Sequence, residues 1–159
     1  MNWHDFELNA PELARLGRER FEATHVALVG TLRRDGSPRI SPVEPYLVLG
    51  QLLIGALTSS HKARDLLRDP RCTLHSSVTD VNGSEGEFKV HGHASLVTDE
   101  SVLQGDYQAW WTAAGASPAS VFSIDIARAA HVSWNIDSSE MTITRWDPGR
   151  GVRRSIERY

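Results

Sequence analysis

Between positions 57 and 71 the chain reads Leu-Thr-Ser-Ser-His-Lys-Ala-Arg-Asp-Leu-Leu-Arg-Asp-Pro-Arg, and three hydroxyl residues, Thr58, Ser59 and Ser60, stand directly ahead of Lys62 and Arg64. Any of the three can cap a short helix with Ala63, Leu66 and Leu67 on its apolar face and Pro70 closing it. A helix start carries unpaired N–H donors and the positive end of the dipole. Hydroxyls and two cations beside it make a cradle for a phosphate or similar anion. The plain alternative is a capped surface helix with solvated charges.

The element that must position this cradle is the segment before it. Residues 26–32 form an apolar, buried-type strand, Asp35-Gly36 supplies turn chemistry, and residues 38–43 return as a strand broken by Pro38 and Pro42. Proline cannot donate to a ladder, so the returning strand reads as an edge whose free backbone groups suit a flat ligand.

In this order, the strand, Asp-Gly turn, Ser-Pro strand, Ser-Ser-His-Lys-Ala-Arg-Asp-Leu helix and Asp-Pro-Arg resemble the flavin-binding split-barrel family related to pyridoxamine 5'-phosphate oxidase. The resemblance spans roughly residues 20–135, with anchors at 31–43 and 58–71. It implies a mainly β (α+β) fold, a split antiparallel β-barrel with a few flanking helices. The cofactor implied is FMN, with the deazaflavin F420 as the alternative. It places Ser41, Pro42 and Val43 against the flavin ring and Ser59, Ser60, Lys62 and Arg64 on the phosphate. Arg39, Thr58 and Ala63 complete the cofactor-binding set. It further implies a homodimer with the cofactor at the interface, where Trp134 or Asn135 of the later strands would approach the ring. F420 adds a polyglutamate tail that favours extra basic residues, for which Arg33, Arg34, Arg39 and Arg68 are available. The basic, aromatic C-terminal substrate motif of pyridoxamine 5'-phosphate oxidase proper is not seen in residues 146–159, which makes vitamin B6 oxidation doubtful.

The rest of the chain fits one domain: an N-terminal helix within 1–22, a barrel over 23–146 and a solvated tail at 147–159. The helix is expected at 9–22, capped by Asn9 with Pro11 in its first turn and Ala10, Leu13, Ala14, Gly17 and Phe21 on one face. Strands are expected at 72–78 and 87–98, paired across a polar loop. A helix at 100–114, a break at 115–118 and strands at 121–126, 131–136 and 141–146 follow. Several short strands with turn signals point to a closed or nearly closed antiparallel barrel.

Histidine supplies the competing chemistry. Phe88, Val90, Gly92, Ala94 and Leu96 alternate with Lys89, His91, His93 and Ser95, so His91 and His93 share a strand face that His75 can join. Three such imidazoles resemble a metal or haem site. No carboxylate or thiolate at fixed spacing completes it, so the solvent face of a half-exposed sheet is the preferred reading and no metal is assigned. Trp110 and Trp111 read as core or subunit contacts, Trp134 as packing.

Global properties set the frame. The chain has 159 residues, 40% of them hydrophobic, and a net charge of −3. No apolar run approaches the roughly 20 residues of a membrane span, and nothing in the charge calls for nucleic acid. The N-terminus shows no secretory signal, so a cytoplasmic location is expected. The lone cysteine, Cys72, reads as a packing residue. The expected activity is hydride transfer between the flavin and a small-molecule substrate. Its proton donor is unassigned among His25, His61 and Tyr46. The readings from other classes are a non-catalytic flavin carrier or redox sensor and a haem-binding protein.

Overall fold

The computed structural model describes residues 1–103 and 119–159. Trp110, Trp111, most of the helix expected at 100–114 and the break at 115–118 lie outside the described residues. Within them, two helices, α1 (Trp3–Asn9) and α2 (Pro11–Thr24), precede the strands β1 (Ala27–Leu32), β2 (Pro38–Val43), β3 (Pro45–Val48) and β4 (Gln51–Leu57). Helix α3 (His61–Arg68), strands β5 (Arg71–Ser76) and β6 (Glu87–Leu96), the short α4 (Glu100–Leu103), and strands β7 (Ala119–Asn135), β8 (Glu140–Asp147) and β9 (Gly151–Arg158) follow. No described helix is long and apolar enough to cross a membrane.

The strands run in the order β2-β1-β5-β6-β7-β4-β3, all antiparallel. Only Glu44 separates β2 from β3 in the chain. The two ends of the sheet are therefore successive segments of one bent strand, which closes the barrel. The proline-broken stretch sits at that bend, as its missing donors require. The β1–β2 turn uses the expected chemistry: Gly36 has φ 83°, and the Asp35 carboxylate accepts from the Ser37 backbone N–H at 2.9 Å.

Three boundaries differ from the sequence expectation. The N-terminal helix is two helices: Asn2 caps α1 by accepting from the Asp5 N–H, and α2 starts at Pro11 after Ala10, with no side-chain cap from Asn9. Burial of Trp3 and Phe6 holds the short α1, their rings packing with Phe21, Phe88 and Trp146. Second, the strands expected at 121–126 and 131–136 are one strand, β7, which continues through a bulge at Ala127 opposite His91/Gly92. Third, residues 147–159, expected as a solvated tail, contain β9, hydrogen-bonded to β8 along its whole length though largely exposed. The expected helical face of Ala10, Leu13, Ala14, Gly17 and Phe21 is buried, whereas Leu67 of α3 and Leu96 of β6 are exposed.

Helix α2 lies against the β5, β6 and β7 side of the barrel. Arg20 is buried there, donating to the Ser77 carbonyl at 2.8 Å and to Glu85 at 2.9 Å. His131 is buried nearby. Desolvation first, and the Arg20 guanidinium second, hold its pKa below the usual imidazole value. Unfolding restores a pKa near 6.5, so the stability it contributes is complete above about pH 6.5 and is lost as the pH falls below that. Thermal melts at pH 7 and pH 5.5 are expected to show a drop in Tm for the native chain and a smaller drop for His131→Asn; equal drops would contradict this.

Candidate functional site

The site builds from the junction of β2 and α3. Ser60 is the residue that caps α3, its Oγ accepting from the Ala63 N–H at 3.2 Å. Ala63 and Leu66 anchor the helix in the core, leaving His61, Arg64 and Arg68 on an exposed flank. Lys62 turns the other way: its Nζ donates to the Pro42 carbonyl at 2.5 Å. This contact joins the two segments singled out in the sequence. It also puts the Pro42 carbonyl on the edge of β2 away from β1. A strand residue directs its N–H and C=O to one side, so the donors missing at Pro38 and Pro42 belong to that unpaired edge. Burial lowers the pKa of the Lys62 ammonium and nearby Glu44 partly restores it.

The other expected site residues are distributed around this junction. Ser41 is half-buried and Pro42 exposed on β2. The Val43 side chain is in the core, so a ligand on β2 would meet its backbone. Thr58 Oγ1 is 3.1 Å from Ser120 Oγ of β7, and Ser59 is exposed. Arg64 reaches His61 Nδ1 at 3.3 Å. Lys62 and Arg64, expected as a pair, thus flank α3 on different sides. Of the proton-donor candidates, His25 forms the left-handed C-cap of α2, Tyr46 lies on β3 and His61 stands beside Arg64.

A feature not anticipated from the sequence is the role of Asp65. This carboxylate is almost fully buried and accepts from Arg39 Nε at 2.6 Å, Thr31 Oγ1 at 3.1 Å and Arg68 at 3.2 Å. Arg68 also donates to the Leu32 carbonyl. Arg33, Arg34, Arg39, Arg64 and Arg68, with His61, Asp35 and Asp65, line a cavity of 590 Å³. Asp65 is shared by two guanidiniums; among the described residues Arg33, Arg34 and Arg64 form no salt bridge, and Arg33 acts on the Asp35 carboxylate only through its charge. The cavity is strongly cationic. The one sequence signal was the arginine count between residues 33 and 71, which a turn and a helix then fold together.

The histidines have a more defined setting than a solvent face. His75, His91 and His93 line a groove of 660 Å³ over β1, β2, β5, β6 and β7. His75 is held by the Ser76 carbonyl and by Glu87 at 3.0 Å, and His91 Nδ1 is 2.9 Å from Thr73 Oγ1. Among the described residues no group of three or more His, Cys, Asp or Glu side chains is placed to hold a metal ion. Cys72 is buried, and burial pushes its thiol up to about 12, so it stays protonated. Trp134 packs on Gly83, where an added Cβ would come within 2.9 Å of the indole.

A closed barrel with a proline-bearing edge, a basic capped helix and an arginine-lined cavity defines the split-barrel class. The family model of pyridoxamine 5'-phosphate oxidase matches residues 16–133, and the chain belongs to that family. Solved structures share the fold. A pyridoxamine 5'-phosphate oxidase-related, FMN binding protein from Nostoc punctiforme is 13% identical with a TM-score of 0.65, over 94% of this chain and 96% of that one. PhzG from Burkholderia lata, in complex with tetrahydrophenazine-1-carboxylic acid, is 11% identical with a TM-score of 0.65, over 99% and 93%. A heme binding protein from Mycobacterium smegmatis is 15% identical with a TM-score of 0.59, over 91% and 88%. No curated protein is significantly similar.

The residues present fit a flat ligand bearing a phosphate. Lys62 is a half-buried cation bonded to a carbonyl, with Glu44 near but in no salt bridge with it, and among the described residues Arg64 is bonded to His61 alone. The unpaired edge of β2 meets Lys62 directly.

Proposed function

We propose that this protein binds FMN and works as an oxidoreductase on a small organic acceptor. The observation that carries the reading is the Lys62–Pro42 contact, which makes one site of the unpaired β2 edge and the capped, basic start of α3. Lys62, with the hydroxyls of Ser59 and Ser60, holds the phosphate, and Arg64 adds its charge from the other flank of α3. The backbone of Ser41, Pro42 and Val43 positions the ring. When bound, the flavin supplies hydride transfer at its central ring, and the barrel supplies position and exclusion of water. A second copy of the chain completes the pocket, as the family relationship suggests.

The arginine cavity favours one second reading, a deazaflavin such as F420, whose polyglutamate tail would meet Arg33, Arg34 and Arg64. Equilibrium fluorescence titration with FMN and, separately, F420 decides between them. Preferential binding of FMN supports the first reading, of F420 the second; binding of neither by folded protein overturns both. Charge-assisted hydrogen bonds to phosphate are the strong kind. The double replacement Lys62→Ala, Arg64→Ala is therefore expected to weaken cofactor binding at least about tenfold, roughly 1.4 kcal/mol. Retained affinity would mean that the phosphate sits elsewhere. An oxidoreductase reoxidises its reduced cofactor faster with some acceptor than the free cofactor does; a carrier or sensor does not.

A further inference from the structure

A cleft of 620 Å³ opens where α2 meets β7, β8 and β9, and no residue of β2 or α3 lines it. Strand register builds its floor. His131 of β7 lies opposite Thr144 of β8, and Thr144 opposite Arg154 of β9; Ser133, Thr142 and Ile156 form the next row. Residues two apart on a strand share a face, so the two rows present one hydroxyl-rich surface. Helix α2 supplies the wall, where Leu16 and Ala23 are the apolar residues of the lining. The carboxylates of the lining are answered: Glu12 and Glu19 are held by Arg15, and Glu85 by Arg20. Among the described residues, Ser133, Thr142 and Thr144 make no side-chain hydrogen bond and Arg154 makes no ion pair. Nor has His131, only 8% exposed, a hydrogen-bond partner among them, and the buried Arg20 Nε has none either. Buried polar groups are costly unless a partner answers them.

Three uncommitted hydroxyls, a buried imidazole and one unneutralised guanidinium at the rim are complementary to a molecule with many hydroxyls and a single negative charge. We propose that this cleft binds a polyhydroxy carboxylate of the sugar-acid type, its carboxylate on Arg154 and its hydroxyls on Ser133, Thr142, Thr144 and His131. Each protein hydroxyl both donates and accepts, as does a neutral imidazole through its two nitrogens, which suits a ligand whose own hydroxyls do the same. Guanidinium and carboxylate match as a planar, bidentate pair. Leu16 and Ala23 meet the C–H face of such a chain. The volume lies within the roughly 300–1,000 Å³ of small-molecule sites. The site does not depend on the flavin reading, since it uses none of the groups placed on the phosphate or ring.

The test is titration of the full chain, followed by its amide NMR shifts, with gluconate, with sorbitol as the uncharged polyol and with acetate as the bare carboxylate, each with and without saturating FMN. Gluconate is expected to bind at least about tenfold more tightly than sorbitol, as losing a charge-assisted pair implies, and at least about tenfold more tightly than acetate, which lacks the hydroxyls. The largest shifts should fall at Ser133, Thr142 and Thr144. Arg154→Gln should bring gluconate down to the affinity of sorbitol. Thr142→Val with Thr144→Val, which keeps the shape and strand preference of both residues, should remove the preference over acetate. Arg153→Gln, one residue along β9 and so on its opposite face, should leave gluconate binding as it is.

Several results would overturn the proposal. Equal binding of gluconate and acetate would reduce the cleft to a charge at the surface, and equal binding of gluconate and sorbitol would remove Arg154 from it. A preference that survives Arg154→Gln does the same. Shifts centred on β2 and α3, or competition with FMN, would place gluconate in the phosphate cradle instead of this cleft. If none of the three probes binds, the ligand assignment is wrong; a change of oligomeric state in Arg154→Glu by light scattering would then assign the face to a second copy of the chain. Unchanged gluconate affinity under saturating FMN, lost in Arg154→Gln and in the double valine variant, is the result that supports a separate site whether or not the chain binds a flavin.

Discussion

Asp65→Asn is expected to lower the unfolding free energy by about 3 kcal/mol, the lower end of what is lost when one member of a buried ion pair is removed. The carboxylate is 4% exposed and serves three donors, Arg39, Thr31 and Arg68. Burial alone would raise its pKa. The hydrogen bonds from Arg39, Thr31 and Arg68 outweigh burial and hold it below the usual carboxylate range. Asparagine keeps the volume and loses the charge, which leaves the largely buried Arg39 guanidinium facing no anion. Arg68 is more exposed and contributes little to the cost, because water replaces its partner. Urea denaturation should show a lower midpoint with an unchanged slope. A loss under about 1 kcal/mol would mean that Asp65 does not organise this junction.

The sign of the pH dependence gives this prediction a second check. A carboxylate whose folded pKa is depressed stabilises the fold above its unfolded pKa, near 3.9, and loses that contribution as the pH falls through the folded value. The difference between the native chain and Asp65→Asn should therefore be full at neutral pH and shrink in acid below about pH 4. A difference that stays constant down to pH 3 would assign the effect to shape rather than charge.

What the sequence made legible was local. The β1–β2 hairpin followed from Asp-Gly, α3 from a hydroxyl cap and a 3.6-residue apolar period, and β6 from alternation of Phe88, Val90, Gly92 and Ala94. Each signal lies within one element, where side-chain period and turn chemistry act directly. The features that escaped depend on distant partners. Helix α1 is too short to hold on propensity and exists because Trp3 and Phe6 have an aromatic core to enter. Strand β9 lacks a buried face, with Val152 and Ile156 exposed, and is a strand because β8 offers an edge. The join at Ala127 reads as a break because a bulge disturbs the two-residue period that betrays a strand.

The candidate site divides the same way. Its hydroxyls and cations were visible as types and spacings, but not which of them meet. Arg39 and Asp65 are 26 residues apart, and nothing local says that they pair. Lys62 and Arg64, neighbours in sequence, were read together, yet α3 aims one at Pro42 and the other at the arginine cavity. The placement of Arg128 beside His91 required the register of β6 against β7, which sequence alone does not supply.

Gly92→Ala should destabilise the fold by about 3 kcal/mol, at the upper end of overpacking effects, because the atom it collides with cannot move aside. Gly92 lies where β6 and β7 change register, opposite the bulge that continues β7 past the groove. A Cβ there would come within 2.1 Å of the Asp125 carbonyl oxygen and 3.0 Å of its carbon. Both are backbone atoms of the paired strand, so relief requires the ladder itself to separate. Glycine is needed for closeness of approach, not for a left-handed backbone. Gly30 of β1, which also lines the groove, is the internal control. A Cβ there would meet the Thr73 carbonyl oxygen at 3.7 Å, ordinary contact, so Gly30→Ala should cost under about 1 kcal/mol. Chemical denaturation of the two variants side by side decides the matter. Equal losses would mean that glycine content rather than the β6–β7 approach sets the cost, and a larger loss at Gly30 would mean that the bulge is not where the barrel is tightest.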